Sequence, residues 1–270
     1  MKTIGYAAHS ADSPLAPLSF ERRELRANDI AIEILYCGVC HSDLHVARND
    51  WGGSSYPVVP GHEIVGRVIE VGSAVTKFKV GENVAVGCMV DSCQECDECH
   101  NDHEQYCRNG FTLTYGSPDR ITGDMTQGGY SKHLVVREEF VLRIPENLDL
   151  ALAAPLLCAG ITTYSPLREW NIGPGSRVGV VGMGGLGHMA IKLAVGLGAH
   201  VTVISTSPKK EQSAKDLGAH AFLVSKDEEA MTTAGSAFDL IIDTVPVNHD
   251  LNPYIPLLDN DATLVLVGQI

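Results

Sequence analysis

The chain has 270 residues, of which 44% are hydrophobic and 20% are charged, and its formal net charge is −13. A charge this negative argues against nucleic acid or an anionic membrane surface as a partner, because both call for a basic patch. The N-terminus shows no apolar targeting segment, and glycines and basic residues interrupt the longest apolar region, residues 178–204, which excludes a membrane span. We therefore expect a cytoplasmic protein of one or two globular domains.

Short strands separated by glycines are predicted for the first 150 residues. The run Ile30 to Leu35 alternates partially, and a second apolar run follows from Ile64 to Val71. Glycines at positions 66, 72, 81 and 87 lie among valines and isoleucines. Glycine inside strand segments is typical of bends and bulges, so this part of the chain is expected to form a bent, barrel-like set of strands.

The pattern changes near residue 150. Residues 150–160 predict an apolar helix, and strands then alternate with helices: strands 177–181, 201–205, 221–224, 240–243 and 264–267, with helices at 189–197 and 209–217. This β-α-β order predicts a doubly wound parallel sheet. The expected fold is therefore a β domain over residues 1–150 followed by an α/β domain over residues 151–270.

Four cysteines lie close together in an acidic loop, residues 88–110. The spacing Cys93-x-x-Cys96-x-x-Cys99, followed by Cys107, is typical of structural zinc, whose four thiolates leave no open coordination position. An iron–sulfur cluster is the alternative, but its last cysteine usually precedes proline, whereas Cys107 precedes Arg108. This clustering favours zinc in a reducing compartment over a disulfide scaffold.

A glycine-rich turn follows the predicted strand 177–181. Gly182-Met183-Gly184-Gly185-Leu186-Gly187 has the Gly-x-Gly-x-x-Gly pattern, and a helix is predicted from His188 to Leu197. Between a strand and a helix, this pattern predicts a dinucleotide site with the pyrophosphate at the helix N-terminus. A glycine-rich turn without a ligand is the alternative.

The segment after the next strand bears on the choice of dinucleotide. An NAD site would place Asp or Glu there for the ribose hydroxyls, but the first acid is Glu211. Ser205, Thr206, Ser207 and Lys210 are present instead, and hydroxyls with lysine suit a 2′-phosphate. The pattern favours NADP(H), with a solvated helix start as the alternative.

A second metal set is harder to see because its members are dispersed. Cys40 lies in Cys40-His41-Ser42-Asp43-Leu44-His45, and alone it is more typical of a packed thiol than of a metal ligand. With His62 and Cys158 it would form a two-cysteine, one-histidine set whose fourth position is open, which is the arrangement of catalytic zinc.

These motifs together resemble the zinc-dependent medium-chain alcohol dehydrogenase family, and in particular its cinnamyl-alcohol-dehydrogenase-like branch of NADP(H)-dependent aldehyde reductases. The matching segments are residues 38–45, Pro60-Gly61-His62-Glu63, the four-cysteine loop, residues 155–164 and residues 182–188. The resemblance implies a GroES-like N-terminal domain with a zinc lobe at residues 88–110, followed by a Rossmann domain. It also implies two Zn²⁺ per chain.

The resemblance implies a role for individual residues. Cys40, His62 and Cys158 would hold the catalytic zinc, with Glu63 as an exchangeable ligand or a neighbour of the ligands. Ser42 and His45 would form a proton relay. The cofactor-binding set would be His41 at the pyrophosphate, Thr162 near the nicotinamide, Gly182, Gly184, Gly185, Leu186 and Gly187 in the turn, Ser205, Thr206, Ser207 and Lys210 at the 2′-phosphate, and Val267.

The implied reaction is hydride transfer between NADP(H) and a primary alcohol/aldehyde pair. Family members continue beyond the length of this chain, so an incomplete Rossmann domain is expected, and the family's homodimer is an open question for it. The alternative is a zinc- and NADP(H)-binding protein with impaired catalysis. A zinc-free quinone reductase is disfavoured because both metal sets are complete.

Trp51, Phe111 and Leu113 are candidate substrate-pocket walls or plain core.

Overall fold

The computed structural model describes residues 1–268. Gln269 and Ile270, the last two residues of the predicted α/β domain, lie outside the described residues. The chain divides into two compact units, Met1–Cys158 and a second unit that begins at Ala159.

Nine strands and three short helices form the first unit. They are β1 (Lys2–Ala7), β2 (Ala16–Glu21), β3 (Asp29–Cys37), α1 (His41–Arg48), β4 (Ile64–Val71), β5 (Asn83–Val86), β6 (Met89–Asp91), α2 (Asp97–His100), β7 (Thr112–Leu113), β8 (His133–Arg137), β9 (Val141–Arg143) and α3 (Leu150–Ala153). Single 3₁₀ turns lie at Glu104–Tyr106, Glu138–Phe140 and Ala154–Leu157.

The central sheet of this unit is antiparallel, in the order β8-β3-β4-β5-β9. The pairing of β3 with β4 shifts register twice, between Ala31 and Ile32 and between Ile34 and Tyr36. Such bulges bend and twist a sheet, which lets its apolar face enclose one core that includes Ile30, Ile64 and Val84. The predicted bent β domain is therefore present.

Five strands and four helices form the second unit. They are α4 (Ala159–Glu169), β10 (Arg177–Val181), α5 (Gly185–Gly196), β11 (His200–Ser205), α6 (Glu211–Asp216), β12 (Ala221–Val224), α7 (Glu228–Thr233), β13 (Phe238–Asp243) and β14 (Leu258–Leu266). Two 3₁₀ segments, Pro208–Lys210 and Asn252–Leu257, complete it within residues 159–268.

All strand pairs of the second sheet are parallel, in the order β12-β11-β10-β13-β14. The order reverses between β10 and β13, which is the switch point where open α/β sheets bind ligands. Separate apolar clusters cover the two faces, one around Val180 and Ile191 and the other around Ile241 and Tyr254. The prediction of a doubly wound parallel sheet is therefore correct.

All three predicted helices have different bounds in the structure. The helix expected over residues 209–217 is α6, Glu211–Asp216, which follows the 3₁₀ turn Pro208–Lys210. The helix expected from His188 begins at Gly185, because the glycine turn itself enters the first helical turn. The apolar helix expected over residues 150–160 is broken: α3 passes into a 3₁₀ turn that contains Pro155, and Cys158 has a non-helical backbone with φ −127° and ψ −72°. Proline lacks the N–H that a continuing helix needs.

Within residues 1–268, no single helix is long and apolar enough to cross a membrane, although one bent pair, Leu150–Leu157 with Ala159–Glu169, meets the length and composition criteria together.

Candidate active site

The carboxylate of Asp43 organises the first unit around a cluster of metal-ligand side chains. Helix α1 begins after Cys40, and Asp43 is the third residue of the helix and only 3% exposed. Its two oxygens accept four hydrogen bonds, from Cys40 N (3.0 Å), Gly61 N (2.9 Å), Tyr130 Oη (3.0 Å) and His62 Nδ1 (3.0 Å). One buried carboxylate therefore ties together the two segments that carry Cys40 and His62.

The bond from His62 to Asp43 fixes the orientation of the imidazole. When Nδ1 donates to a carboxylate, Nε2 is left to bind a metal, and the ligand becomes more basic. Burial opposes a charged His62, yet its hydrogen bonds with Asp43, Cys158 and Cys40 raise its pKa to about 12. The Asp43 carboxylate and the two cysteine sulfurs around the ring thus favour a cation at this position.

The structure brings the four dispersed residues of the second metal set together. One ligand atom each from Cys40, His62, Glu63 and Cys158 lies within 4.8 Å of the others. The Sγ atoms of Cys40 and Cys158 are 3.8 Å apart, and two thiolates on a tetrahedral zinc, each about 2.3 Å from it, would be about 3.8 Å apart. The spacing and the donor types both fit zinc.

The chemistry of the two thiols supports a cation at this position. The neighbouring Cys158 thiol and burial raise the pKa of Cys40 to about 12. A thiolate at Cys40, beside the Cys158 sulfur and a buried carboxylate, therefore needs a divalent cation to compensate its charge. Glu63 is 3% exposed and adjoins this cluster, so its carboxylate adds to the need for a compensating cation.

Local backbone features place Cys158 and Glu63. The non-helical backbone at Cys158 falls between the 3₁₀ turn and the next helix, and its side chain faces Cys40. Gly38 leaves room for Glu63, because a Cβ at position 38 would overlap Oε2 of that carboxylate.

A second cluster consists of the four cysteines of the predicted lobe. The sulfurs of Cys93, Cys96, Cys99 and Cys107 lie within 4.8 Å of one another, and Cys99 and Cys107 are buried. Cys99 Sγ is 3.5 Å from that of Cys96 and 3.9 Å from that of Cys93. Four sulfurs in this arrangement, with no further ligand position, fit a structural zinc ion.

Backbone hydrogen bonds to sulfur in the lobe favour the thiolate form of its cysteines. The backbone N–H of Glu95 donates to Cys93 Sγ (3.5 Å), and that of Cys93 donates to Cys107 Sγ (3.4 Å). The bond from Glu95 leads the contacts that lower the pKa of Cys93 to about 6. Donors aimed at sulfur stabilise its charged form.

The predicted relay residues lie on α1 beside the metal cluster. Ser42 Oγ is 3.6 Å from Cys40 Sγ. His45 Nδ1 is 2.9 Å from Asp50 Oδ2, and the His45 ring packs between those of His41 and Trp51, with centroids 5.7 and 4.8 Å away. Within residues 1–268 no hydrogen bond joins Ser42 to His45 directly.

The glycine turn of the second unit has the shape that a pyrophosphate needs. Gly182 has φ +87°, a conformation that favours glycine. A Cβ at Gly187 would lie 2.5 Å from Gly182 O, so the helix can approach the strand only with glycine there. Gly184 and Gly185 instead face open space, with nothing within 4 Å of their Cβ positions. Backbone N–H groups at the start of α5 are therefore accessible to an anion.

Side chains of the predicted 2′-phosphate pocket follow β11. Ser205 ends the strand and is buried, whereas Thr206 and Lys210 are exposed. Ser207 N donates to Ser205 Oγ (3.4 Å). Neither Lys209 nor Lys210 takes part in an ion pair within the described chain, so their charges are available to a ligand.

The two remaining predicted cofactor residues also lie in the second unit. Thr162 is in α4. Val267 directly follows β14, and its N–H donates to Asp243 O (2.9 Å) at the carboxyl edge of the sheet. The candidate pocket residues Phe111 and Leu113 of the first unit are about 40% exposed, and Trp51 is 37% exposed, so none of the three is plain core.

The sequence interpretation did not assign a role to Asp43 or Tyr130. An acid three residues after the residue that caps a helix is a capping signal, which could have marked Asp43. Tyr130 is 87 residues from Asp43 in sequence, and no local pattern could have paired them.

Comparison with known proteins explains this combination of sites. Residues 26–146 match the alcohol dehydrogenase GroES-like domain, and residues 185–270 match the zinc-binding dehydrogenase family. The chain belongs to the zinc-dependent alcohol dehydrogenase family. A probable mannitol dehydrogenase from Fragaria ananassa is 55% identical over 269 residues, which cover 99% of this chain and 74% of that protein.

Solved structures of this dehydrogenase family agree with the fold. A cinnamyl alcohol dehydrogenase from Sorghum bicolor superposes with a TM-score of 0.95 at 49% identity, covering 98% of this chain and 76% of that one. CAD from Helicobacter pylori, complexed with NADP(H), gives 0.93 at 42% identity, covering 100% and 76%. The predicted family and fold class are confirmed.

Proposed function

We propose that this dehydrogenase uses zinc and NADP(H) to interconvert a primary alcohol and its aldehyde. The observation that carries the proposal is the set of buried His62 and partly buried Cys40 and Cys158 beside Ser42, because this donor set matches catalytic zinc and leaves a position for a substrate. The relative from H. pylori that was solved with NADP(H), and the hydroxyls and lysine after β11, support the choice of cofactor.

Each residue near the metal set has a separate task. Bound zinc supplies a Lewis acid that polarises the oxygen of the alcohol or aldehyde. Cys40, His62 and Cys158 hold it, Asp43 orients His62, and Glu63 is close enough to exchange as a ligand. The Asp43 carboxylate also keeps the start of α1 in place through Cys40 N.

Residues of helix α1 are assigned to proton transfer. We infer that the Ser42 hydroxyl transfers the proton that the alcohol loses or the aldehyde gains, because Ser42 Oγ lies beside the sulfur of Cys40, a proposed metal ligand. His45 is partly exposed and paired with Asp50, which suits exchange of that proton with solvent. With NADPH in excess, aldehyde reduction is the expected net direction.

We assign the residues of the second unit to binding the dinucleotide, which supplies or accepts the hydride. The Gly182–Gly187 turn and the start of α5 would bind the pyrophosphate, and Ser205, Thr206, Ser207 and Lys210 the 2′-phosphate. Thr162 and Val267 would contact the nicotinamide half, and His41 of the first unit the pyrophosphate. We accordingly assign residues 1–150 to a catalytic domain and residues 151–270 to NADP(H) binding, except that Cys158 belongs to the first unit and to its proposed metal set.

Metal analysis combined with an NADPH-oxidation assay over a panel of aldehydes tests the proposal. We expect two zinc ions per chain and aldehyde-dependent oxidation of NADPH. Ser42→Ala should keep both zinc ions and slow turnover, whereas Cys158→Ser should lose one zinc ion and the activity. A two-zinc protein that binds NADPH but reduces no aldehyde would contradict the proposal and support the non-catalytic alternative.

We further propose that the protein acts in the cytoplasm; a homodimer is expected for the full-length family and is left open for this chain. The clustering of four of the eight cysteines between Cys93 and Cys107, with the typical spacing of a metal site, supports a reducing compartment. The family resemblance supports the dimer. Fractionation of cells and sedimentation of the purified protein test the two statements separately.

A further inference from the structure

Asp243 ends the central strand β13 at the carboxyl edge of the parallel sheet. It is 2% exposed, and its Oδ1 accepts the N–H of Val245 (2.9 Å). Its other oxygen, Oδ2, lies 2.7 Å from Nε2 of His249. The carboxylate therefore holds both ends of the loop that follows β13, residues 244–249.

The imidazole of His249 faces an oxygen acceptor on each side. Nδ1 is 2.8 Å from the carbonyl oxygen of Val247, and Nε2 is 2.7 Å from the Asp243 carboxylate. A neutral imidazole has a proton on one nitrogen only, so one of these contacts would set two lone pairs against each other. Only the imidazolium form donates both hydrogen bonds.

This loop forms the wall behind the glycine turn. Thr244 N and Thr244 Oγ1 both donate to Val181 O, at 2.9 and 2.8 Å. Thr244 Oγ1 would also lie 2.8 Å from a Cβ at Gly182 and 3.3 Å from one at Gly187. The position of Thr244 is therefore coupled to that of the turn predicted to receive the pyrophosphate.

The other charged and titratable groups around His249 are few. Asp243 faces it from β13, Asp250 follows it in the chain, and the Tyr254 ring meets it edge-on with the centroids 6.2 Å apart. The Val247 carbonyl has the largest effect and raises the pKa of His249, burial lowers it, and Asp243 and Asp250 raise it further, so that the net shift is upward. Both acids favour the charged ring.

We propose that His249 is a positioning residue for NADP(H), which as an imidazolium clamps residues 244–249 behind the glycine turn and releases them when it loses its proton. The inference rests on the proposed use of NADP(H). For a histidine whose pKa is raised by folding, the stabilisation is complete below the pKa of the unfolded chain and is lost as pH rises through the folded-state value. Cofactor affinity should therefore fall on the alkaline side.

The variant Asp243→Asn isolates this effect. Its amide oxygen can still accept from Val245 N, while its NH₂ group can donate to Nε2 of a neutral His249 that keeps Nδ1–H for Val247. The clamp then no longer needs the charged ring. All other titrating groups, including those of the cofactor, are the same in the two proteins.

The experiment measures the NADPH dissociation constant at about pH 6 and about pH 9, on either side of the range in which histidines titrate. We expect it to rise about fivefold more across this interval in the wild type than in Asp243→Asn. His249→Gln, which cannot titrate, should show the flat profile as well. An NMR titration of the His249 ring, which needs no cofactor, should give a higher pKa in the wild type than in Asp243→Asn.

Two results would overturn the inference. NADPH binding with identical pH profiles in the wild type and Asp243→Asn would exclude the clamp and leave the proposed function intact. A His249 ring that titrates identically in both proteins would do the same. Absence of NADPH binding at every pH would instead overturn the proposed function, and the cofactor role of His249 with it.

Discussion

His62 Nδ1 lies 3.0 Å from Asp43 Oδ1, and this pair joins the two segments that carry Cys40 and His62, two of the proposed ligands of one metal ion. Asp43 is on α1, directly beside Cys40, whereas His62 precedes β4. The pair therefore sets the ring orientation of one ligand relative to the position of another.

Replacing Asp43 by Asn should weaken zinc binding at the Cys40 set. An amide presents an NH₂ group to Cys40 N or His62 Nδ1, which are themselves donors, and loses the negative charge that makes His62 a better ligand. We expect an affinity about 10–100-fold lower, measured by competition with a chelator and metal analysis. Glu24→Gln, at an exposed position of the same unit, is the control; equal zinc release by both variants would refute the role of Asp43.

Replacing Cys99 by Ser should remove one zinc ion and lower the melting temperature. Cys99 is buried and within 3.9 Å of two other sulfurs, so serine leaves three thiolates facing one another around a weak ligand. Cys88→Ser is the matched control, because Cys88 lies in the same unit outside both ligand sets. Two zinc ions per chain in the Cys99 variant would argue against the lobe as a metal site.

Replacing Lys210 by Ala should raise the dissociation constant of NADPH and leave that of NADH unchanged. Loss of a charge-assisted contact to the 2′-phosphate at an exposed position is expected to cost about tenfold in affinity. Lys215→Ala is the control, because Lys215 forms an ion pair with Glu211 on α6. Fluorescence titration with both dinucleotides measures the effect, and an equal loss for NADH would exclude 2′-phosphate recognition.

Replacing Arg22 by Lys should destabilise the first unit. Arg22 donates to the carbonyls of Gln127, Gly128 and His133 and to Ser131 Oγ, which a single ammonium group cannot all reach. Removal of a donor from a buried or partly buried acceptor costs about 1–3 kcal/mol. Within residues 1–268 the carbonyl of Gln127 has no other side-chain donor, whereas those of Gly128 and His133 lie near Ser131 Oγ. The melting temperature should therefore fall by several degrees.

The Arg22 variant also tests a connection to the metal set. The residues that Arg22 holds flank Tyr130, whose hydroxyl donates to Asp43, so zinc at the Cys40 set should exchange faster as well. Arg48→Lys, at an exposed position, should change neither property. A stability loss without faster zinc exchange would show that Arg22 supports the fold alone.

The sequence was sufficient for those features that are local in the chain. Apolar strand runs alternating with helices predicted the parallel sheet, and β10 has the predicted bounds Arg177–Val181. Cys93 to Cys107 and the Gly182–Gly187 turn are short segments whose spacing alone indicates their chemistry. The four sulfurs do meet, and the turn does have a left-handed Gly182.

Features that depend on distant segments were beyond such reasoning. Cys158 is 118 residues from Cys40, so their donor types and the family resemblance grouped them, whereas no local spacing could. The partners of Arg22 are 105 to 111 residues away, and tertiary packing alone determines which carbonyls they are. The Asp243–His249 contact spans six residues, yet no periodic pattern marks a side-chain bond inside a loop.

The two metal centres place different demands on the nascent chain. The lobe draws all its sulfurs from a single short segment, so closing it costs little chain entropy, and it can capture zinc as soon as Cys107 leaves the ribosome. The other centre must wait for Cys158, when nearly the whole first unit has been synthesised. We therefore expect metal loading during biosynthesis to be ordered, so that zinc starvation leaves chains with the ion of the lobe and without the ion at the Cys40 set.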